Sequence, residues 1–218
     1  MNNKIVEFKK IKSLFKDGMT IMIGGFCDCG TPDRLIDLLV SLNVKDLTII
    51  SNDTGYPDKG VGKLIVNNQV KKVIASHIGT NPETGKKFFD KQLELELSPQ
   101  GTLIERIRAG GSGLGGVLTQ TGVGTLVEKG KKKVFIDGKE YLLELPLKAD
   151  LALVKGSIVD EEGNIFYKGT TKNFNPYMAM AAKTVIVEAE NLVKCSELEK
   201  EETMTPGVIV NYIVKGAA

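Results

Sequence analysis

The sequence predicts an α/β fold: an open, mainly parallel sheet with helices on both faces, plus a small antiparallel hairpin excursion. Short apolar runs recur along the chain between amphipathic or glycine-rich connections, the pattern of strands buried on both faces and joined by crossover helices. One Asp-Gly pair between two short apolar runs marks a place where the chain doubles back on itself.

Residues 19–23 form a continuous apolar run headed by Asp17-Gly18 and closed by Gly24-Gly25, as a doubly buried strand requires. Thr31-Pro32 follows, and Leu35, Ile36, Leu39 and Leu42 then recur at helical spacing. Thr31 is the expected N-cap and Pro32 the first helical residue, where a missing N–H costs nothing. Further apolar runs at 47–50, 73–75, 151–154 and 185–187 supply more strands, and the apolar-acidic alternation of 93–97 reads as another. Leu103, Ile104 and Ile107 have helical spacing within 102–109. Val134 and Leu145 bracket Asp137-Gly138, whose preference for positive φ signals the hairpin. With no fixed-period repeat, low-complexity tract or separating linker, the expectation is one domain spanning 1–218.

Hydrophobic residues make up 42% and charged residues 26%, which argues against disorder. Lys plus Arg number 29 against 27 Asp plus Glu, so a net charge of +2 offers no electrostatic footprint for nucleic acid or for an anionic membrane. The first 16 residues mix Lys, Glu and apolar side chains, which predicts neither a signal peptide nor a membrane span and therefore a cytoplasmic protein. Three cysteines, Cys27, Cys29 and Cys195, are too few and odd in number for a disulfide framework. With His77 as the only histidine they make a poor zinc set, so no metal site is expected.

Three stretches could carry chemistry. Gly24-Gly25-Phe26-Cys27-Asp28-Cys29-Gly30 lies where a strand ends and a helix begins, the place where open α/β sheets bind ligands. Its paired glycines would let backbone approach a ligand and leave amides free for an oxyanion, although a turn chosen for packing reads the same way. Residues 110–116 contain G-x-G-x-x-G at Gly111, Gly113 and Gly116. A helix-like segment precedes it where a dinucleotide fold needs a strand, so nicotinamide binding is disfavoured. In Ser98-Pro99-Gln100-Gly101-Thr102, Gln100 would project from a strand end with an amide suited to a developing oxyanion, or serve merely as a capping or solvated residue. No phosphate-loop pattern occurs, and one histidine leaves little room for a Ser-His or Cys-His triad.

The order Asp17-Gly18-x-x-Ile21-Met22-Ile23-Gly24-Gly25-Phe26-x-x-x-Gly30-x-Pro32 resembles the signature of family I (3-oxoacid) CoA-transferase alpha subunits at every fixed position. Ser51-Asn52, residues 97–103 and 105–111, and Lys172-Asn173-Phe174-Asn175-Pro176 are similar to later blocks of that family, so the likeness runs from about Phe8 to Tyr212. Within the family the resemblance is to the branch that uses acetoacetyl-CoA with acetate or butyrate. It implies a separate beta subunit, two of each chain, acyl-CoA and short-chain carboxylates as substrates, and no permanently bound cofactor, coenzyme A being a substrate. It also implies a ping-pong reaction through a glutamyl-CoA thioester on the beta subunit. The Ser-Glu-Asn-Gly motif that carries that glutamate is absent here, Glu190-Asn191 being followed by Leu192. By motif match, residues 24–30 resemble the CoA-binding segment and Gln100 an oxyanion-supporting amide. Asp28 in that segment would repel CoA phosphates, which suggests that the loop faces the pantetheine and thioester end. A sugar-phosphate isomerase-like or non-catalytic CoA-binding domain is the competing expectation, because related sheets serve several ends.

Overall fold

The computed structural model describes residues 3–216; Met1, Asn2, Ala217 and Ala218, part of the single domain expected over 1–218, lie outside the described residues. The chain opens with the short helix α1 (Phe8–Ile11) and then alternates β1 (Thr20–Ile23), α2 (Asp33–Leu42), β2 (Leu47–Ile50), α3 (Val61–Val66), β3 (Val70–Ala75), α4 (Pro82–Phe89), β4 (Glu94–Leu97) and α5 (Gln100–Gly111). An excursion of three strands follows: β5 (Val117–Thr119), β6 (Lys133–Ile136) and β7 (Lys139–Glu144). The main sheet resumes with β8 (Ala149–Asp160) and the short β9 (Ile165–Phe166), then α6 (Asn175–Met180), β10 (Ala182–Val193) and β11 (Tyr212–Lys215).

The main sheet has the order β11-β10-β8-β1-β2-β3-β4, and each neighbouring pair in that order is parallel. Only β9 pairs antiparallel, against β8. Alternate residues of each strand enter different cores, as a two-sided sheet demands. Ile21, Ile23, Ile49, Val73, Leu151 and Leu153 pack with Leu35, Ile36 and Leu39 of α2 and with α3. Met22, Ile50, Ile74, Ala152 and Val154 pack on the other face with Leu103 and Ile107 of α5 and Met178 of α6. Both helical layers of the expected fold are present.

From β1 the chain winds outward through β2, β3 and β4, then returns to β8 on the opposite side of β1. The carboxyl end of β1 is thus a topological switch point, where loops diverge and leave a place for ligands. The hairpin is where Asp137-Gly138 predicts it, both residues having positive φ of 48° and 72°. The excursion is larger than the sequence suggests, because Val117–Thr119, directly after the glycine-rich stretch, adds a third strand beside β7. Arg106 of α5 fastens this small sheet, donating from Nε to the Leu145 carbonyl at 2.9 Å and pairing with Glu96 at 2.7 Å.

Candidate functional site

Loops from β1, β2, β3 and β4 gather at the switch-point end of the sheet, joined there by residues 169–175. The first loop holds a tight hairpin in which the Phe26 N–H donates to Cys29 O at 3.0 Å and the Cys29 N–H to Phe26 O at 2.9 Å. Cys27, at the corner, takes a φ of 52°, a left-handed backbone unusual for a non-glycine residue. Remote groups hold it there. Asn173 Oδ1 accepts the Gly25 N–H at 3.2 Å and Asp53 Oδ2 accepts the Cys27 N–H at 2.8 Å. Asn173 Nδ2 donates to Cys29 O at 3.0 Å, and Asn175 Nδ2 to Gly30 O at 3.0 Å.

These bonds correct the expectation that the paired glycines expose free amides. The Gly24 N–H donates to Leu153 O at 3.0 Å as the parallel ladder continues past β1, and the Gly25, Phe26, Cys27 and Cys29 amides are occupied as described. Within residues 24–30 and among the described residues, only the Asp28 and Gly30 amides have no intramolecular acceptor. The void beneath the loop is about 10 Å³, room for one water at most, so any ligand must lie against the outer surface of the loop. Exposed there are Phe26, at 48%, and Asp28, whose carboxylate meets Lys59 at 3.3 Å. That pairing offsets the repulsion expected from an unaccompanied acid. Burial, more than the nearby Asp53 and Asp28 carboxylates, pushes the Cys27 thiol above its ordinary range, which makes it a poor nucleophile at neutral pH.

The helix start also differs from expectation. Pro32 occupies the N-cap position of α2, while the Thr31 hydroxyl turns back and donates to Cys27 O at 3.2 Å. The cap comes from across the sheet. Glu188 of β10, 2% exposed, accepts the Leu35 N–H at 3.0 Å through Oε2. Burial raises its carboxyl above the usual range.

Gln100 is the first residue of α5 rather than the end of a strand, since β4 stops at Leu97 and Pro99 is the N-cap. Its side chain donates from Nε2 to Asn52 Oδ1 at 2.8 Å. Asn52 is buried, and its Nδ2 donates to Asp53 Oδ2 at 3.0 Å. The Asp53 carboxylate therefore touches both candidate regions: through Asn52 it reaches Gln100, and directly it holds Cys27. Motif matching noted Ser51-Asn52 and Asn173 to Asn175 without giving them tasks; Asp53 carried no sequence signal beyond its position after that block. From Gly101 onward a cleft of about 410 Å³ opens between α5 and β5, lined in part by Gly101, Thr102, the charged Glu105 and Arg108, Val117 and Leu118. The hydroxyls of Ser98 and Thr102 are buried without partners.

Comparison with known proteins fits this arrangement. Residues 7–216 match the family model described as Coenzyme A transferase. The chain is 76% identical over 218 residues, 100% of both chains, to the acetoacetyl-CoA:acetate/butyrate CoA transferase alpha subunit of Clostridium acetobutylicum. It is 51% identical to the acetate CoA-transferase subunit alpha of Escherichia coli, covering 98% of this chain and 97% of that one. Among solved structures, glutaconate coenzyme A-transferase from Acidaminococcus fermentans superposes with a TM-score of 0.85 at 19% identity, over 98% of this chain and 75% of that one. An acyl-CoA transferase from Escherichia coli O157:H7 gives a TM-score of 0.89 at 21% identity over 99% of this chain; the match spans about half of that longer chain, 48%. These distant structures support the fold, and the full-length identity supports more: the chain belongs to the coenzyme A transferase family.

Proposed function

We propose that this chain is the alpha subunit of a cytoplasmic enzyme that moves coenzyme A between acetoacetyl-CoA and acetate or butyrate, working as one domain in an assembly of two alpha and two beta chains. The observation that carries this reading is the 76% identity over the full length of a relative with that named activity. A glutamate of the beta chain attacks the thioester carbonyl and expels CoA thiolate, leaving an acyl-glutamyl anhydride. The thiolate then attacks the glutamyl carbonyl, releasing the first carboxylate and forming a glutamyl-CoA thioester, which the second carboxylate reverses. Each attack passes through a tetrahedral oxyanion, and donors aimed at that oxygen are where a transferase gains most.

Within this scheme the alpha chain contributes surface and donors. Gln100 keeps one Nε2 hydrogen on Asn52, and the other has no partner among the described residues, so it is available to a thioester oxygen. Phe26 and the outer face of residues 24–30 meet the pantetheine arm, and the cleft beside Gly101 gives a short acyl chain room. Gln100→Ala should lower turnover of the assembled enzyme by about 10²-fold without preventing assembly; near-normal turnover removes the assignment. The division of labour is tested by incubating the chain with acetoacetyl-CoA and acetate, with and without the beta subunit. Transfer only in the mixture is expected, and transfer by this chain alone overturns it.

A further inference from the structure

Resting on the reading of Gln100 above, we propose that Asp53 sets the direction of a hydrogen-bond chain, Asp53 to Asn52 to Gln100, and so fixes the position from which Gln100 offers its free N–H to the thioester. A carboxamide is nearly symmetric in shape, and only its partners decide which end faces which way. As a carboxylate, Asp53 can only accept. Its Oδ1 accepts the Gly55 N–H at 2.8 Å, and its Oδ2 accepts both the Cys27 N–H at 2.8 Å and Asn52 Nδ2 at 3.0 Å. Turning the Asn52 amide over would set its oxygen against Oδ2, acceptor against acceptor. Its Nδ2 must therefore face Asp53, and its Oδ1 must face the other way.

On that other side Gln100 Nε2 lies 2.8 Å from Asn52 Oδ1. The Ser76 hydroxyl is 3.1 Å from the same oxygen, but its single hydrogen has a shorter acceptor in the Asn52 backbone carbonyl at 2.8 Å. Gln100 has to offer nitrogen to Oδ1, which fixes its own amide and leaves the second Nε2 hydrogen without a partner among the described residues. Were the chain reversed, Gln100 would present Oε1 to Asn52, and Nε2 and Oε1 would exchange places, so the free N–H would no longer stand where it does now. Asn52 and Asp53 are 1% and 6% exposed, so water competes weakly for these bonds and the direction holds. The same carboxylate holds the strained corner at Cys27, so the loop against which CoA would lie and the donor at the thioester are set by one group.

Asp53→Asn keeps the shape and removes the acceptor-only constraint. In the complex with the beta subunit it should lower turnover about tenfold or more, a partial loss of one oxyanion donor. Combined with Gln100→Ala, the double variant should have a kcat no lower than Gln100→Ala alone, because the relay acts through that amide, whereas loss of the Cys27 contact shows as a raised KM for acyl-CoA. Losses in kcat that multiply would mark Asp53 as merely structural and overturn the relay while leaving Gln100 in place. Near-normal turnover in Gln100→Ala would instead remove the reading of Gln100 and the relay with it. Should Asp53→Asn fail to assemble, Asn52→Leu breaks the chain one link nearer the donor while Asp53 stays bonded to Cys27 and Gly55. It should show the same loss, again not multiplying with Gln100→Ala; parent-like turnover in Asn52→Leu overturns the proposal.

Discussion

Two turns of equal length follow neighbouring strands, residues 26–30 after β1 and 56–60 after β2, and they are held in opposite ways. Each runs aromatic, any residue, Asp, any residue, Gly, and each closes with a bridge between its first and fourth residues, Phe26 with Cys29 and Tyr56 with Lys59. In the second turn Pro57 supplies the corner, its ring already fixing φ. The first turn puts Cys27 at the corner with a left-handed φ that its own sequence disfavours. Asp53, Asn173 and Asn175 hold it from outside. A turn encoded locally can stand by itself; one imposed by distant groups keeps its shape only while they stay, and it is the latter that faces the proposed substrate.

The largest effect that would sharpen this contrast comes from Gly24→Ala. A Cβ there would lie 1.8 Å from Asn175 Oδ1, the atom that also accepts the Lys155 N–H. Asn175 must move and release the loop, at a cost of about 3 kcal/mol, the upper end for overpacking. Pro57→Ala in the other turn should cost below about 1 kcal/mol, because only the stiffness of the unfolded chain changes. Urea midpoints of the two variants measure the difference; equal losses would break the comparison.

The same contrast explains what could be read from the chain. The strand at 20–23, the loop after it and the Asp-Gly hairpin all follow from neighbours in sequence, and the structure has them where periodicity and turn chemistry put them. What could not be read depends on residues far along the chain. Glycine pairs announce close approach, but the partner that consumes the Gly25 amide is Asn173, separated by 148 residues. Gln100 looks like a strand end because the alternation of β4 runs up to Ser98, yet Pro99 with its extended ψ of 138° ends the strand and opens α5. The third strand of the excursion is three residues long and begins directly after a glycine, too short to show a period.

A smaller effect concerns the helices after the two turns. The α2 helix is capped by the buried Glu188, whereas α3 has Gly60 at its N-cap position and no side-chain cap. Burial raises the Glu188 carboxyl, with Asp33 adding to the rise and Lys155 opposing it. The folded chain therefore holds this proton to higher pH than the unfolded chain. Its stabilising contribution is complete below the ordinary value of 4.5 and is lost as pH rises through the raised value. Glu188→Gln keeps an oxygen for the Leu35 N–H but cannot ionise. The stability of the parent relative to this variant should fall as pH rises above 4.5; a difference independent of pH would show that burial does not govern the group.

The smallest effect belongs to the ion pair that links the turns, the exposed Asp28 and Lys59 at 3.3 Å. Exposed ion pairs add little to stability, so Asp28→Asn should leave the thermal midpoint unchanged. Its value lies in locating CoA. If the outer face of residues 24–30 meets the neutral pantetheine arm, removing this charge leaves the affinity of the assembled enzyme for CoA within about twofold, because screening reduces the charge's reach beyond roughly 10 Å. Strongly tighter binding would place the phosphates at the first turn instead. Lys59, relieved of its partner, would then be their natural counterion, and the second turn would belong to the binding surface as fully as the first.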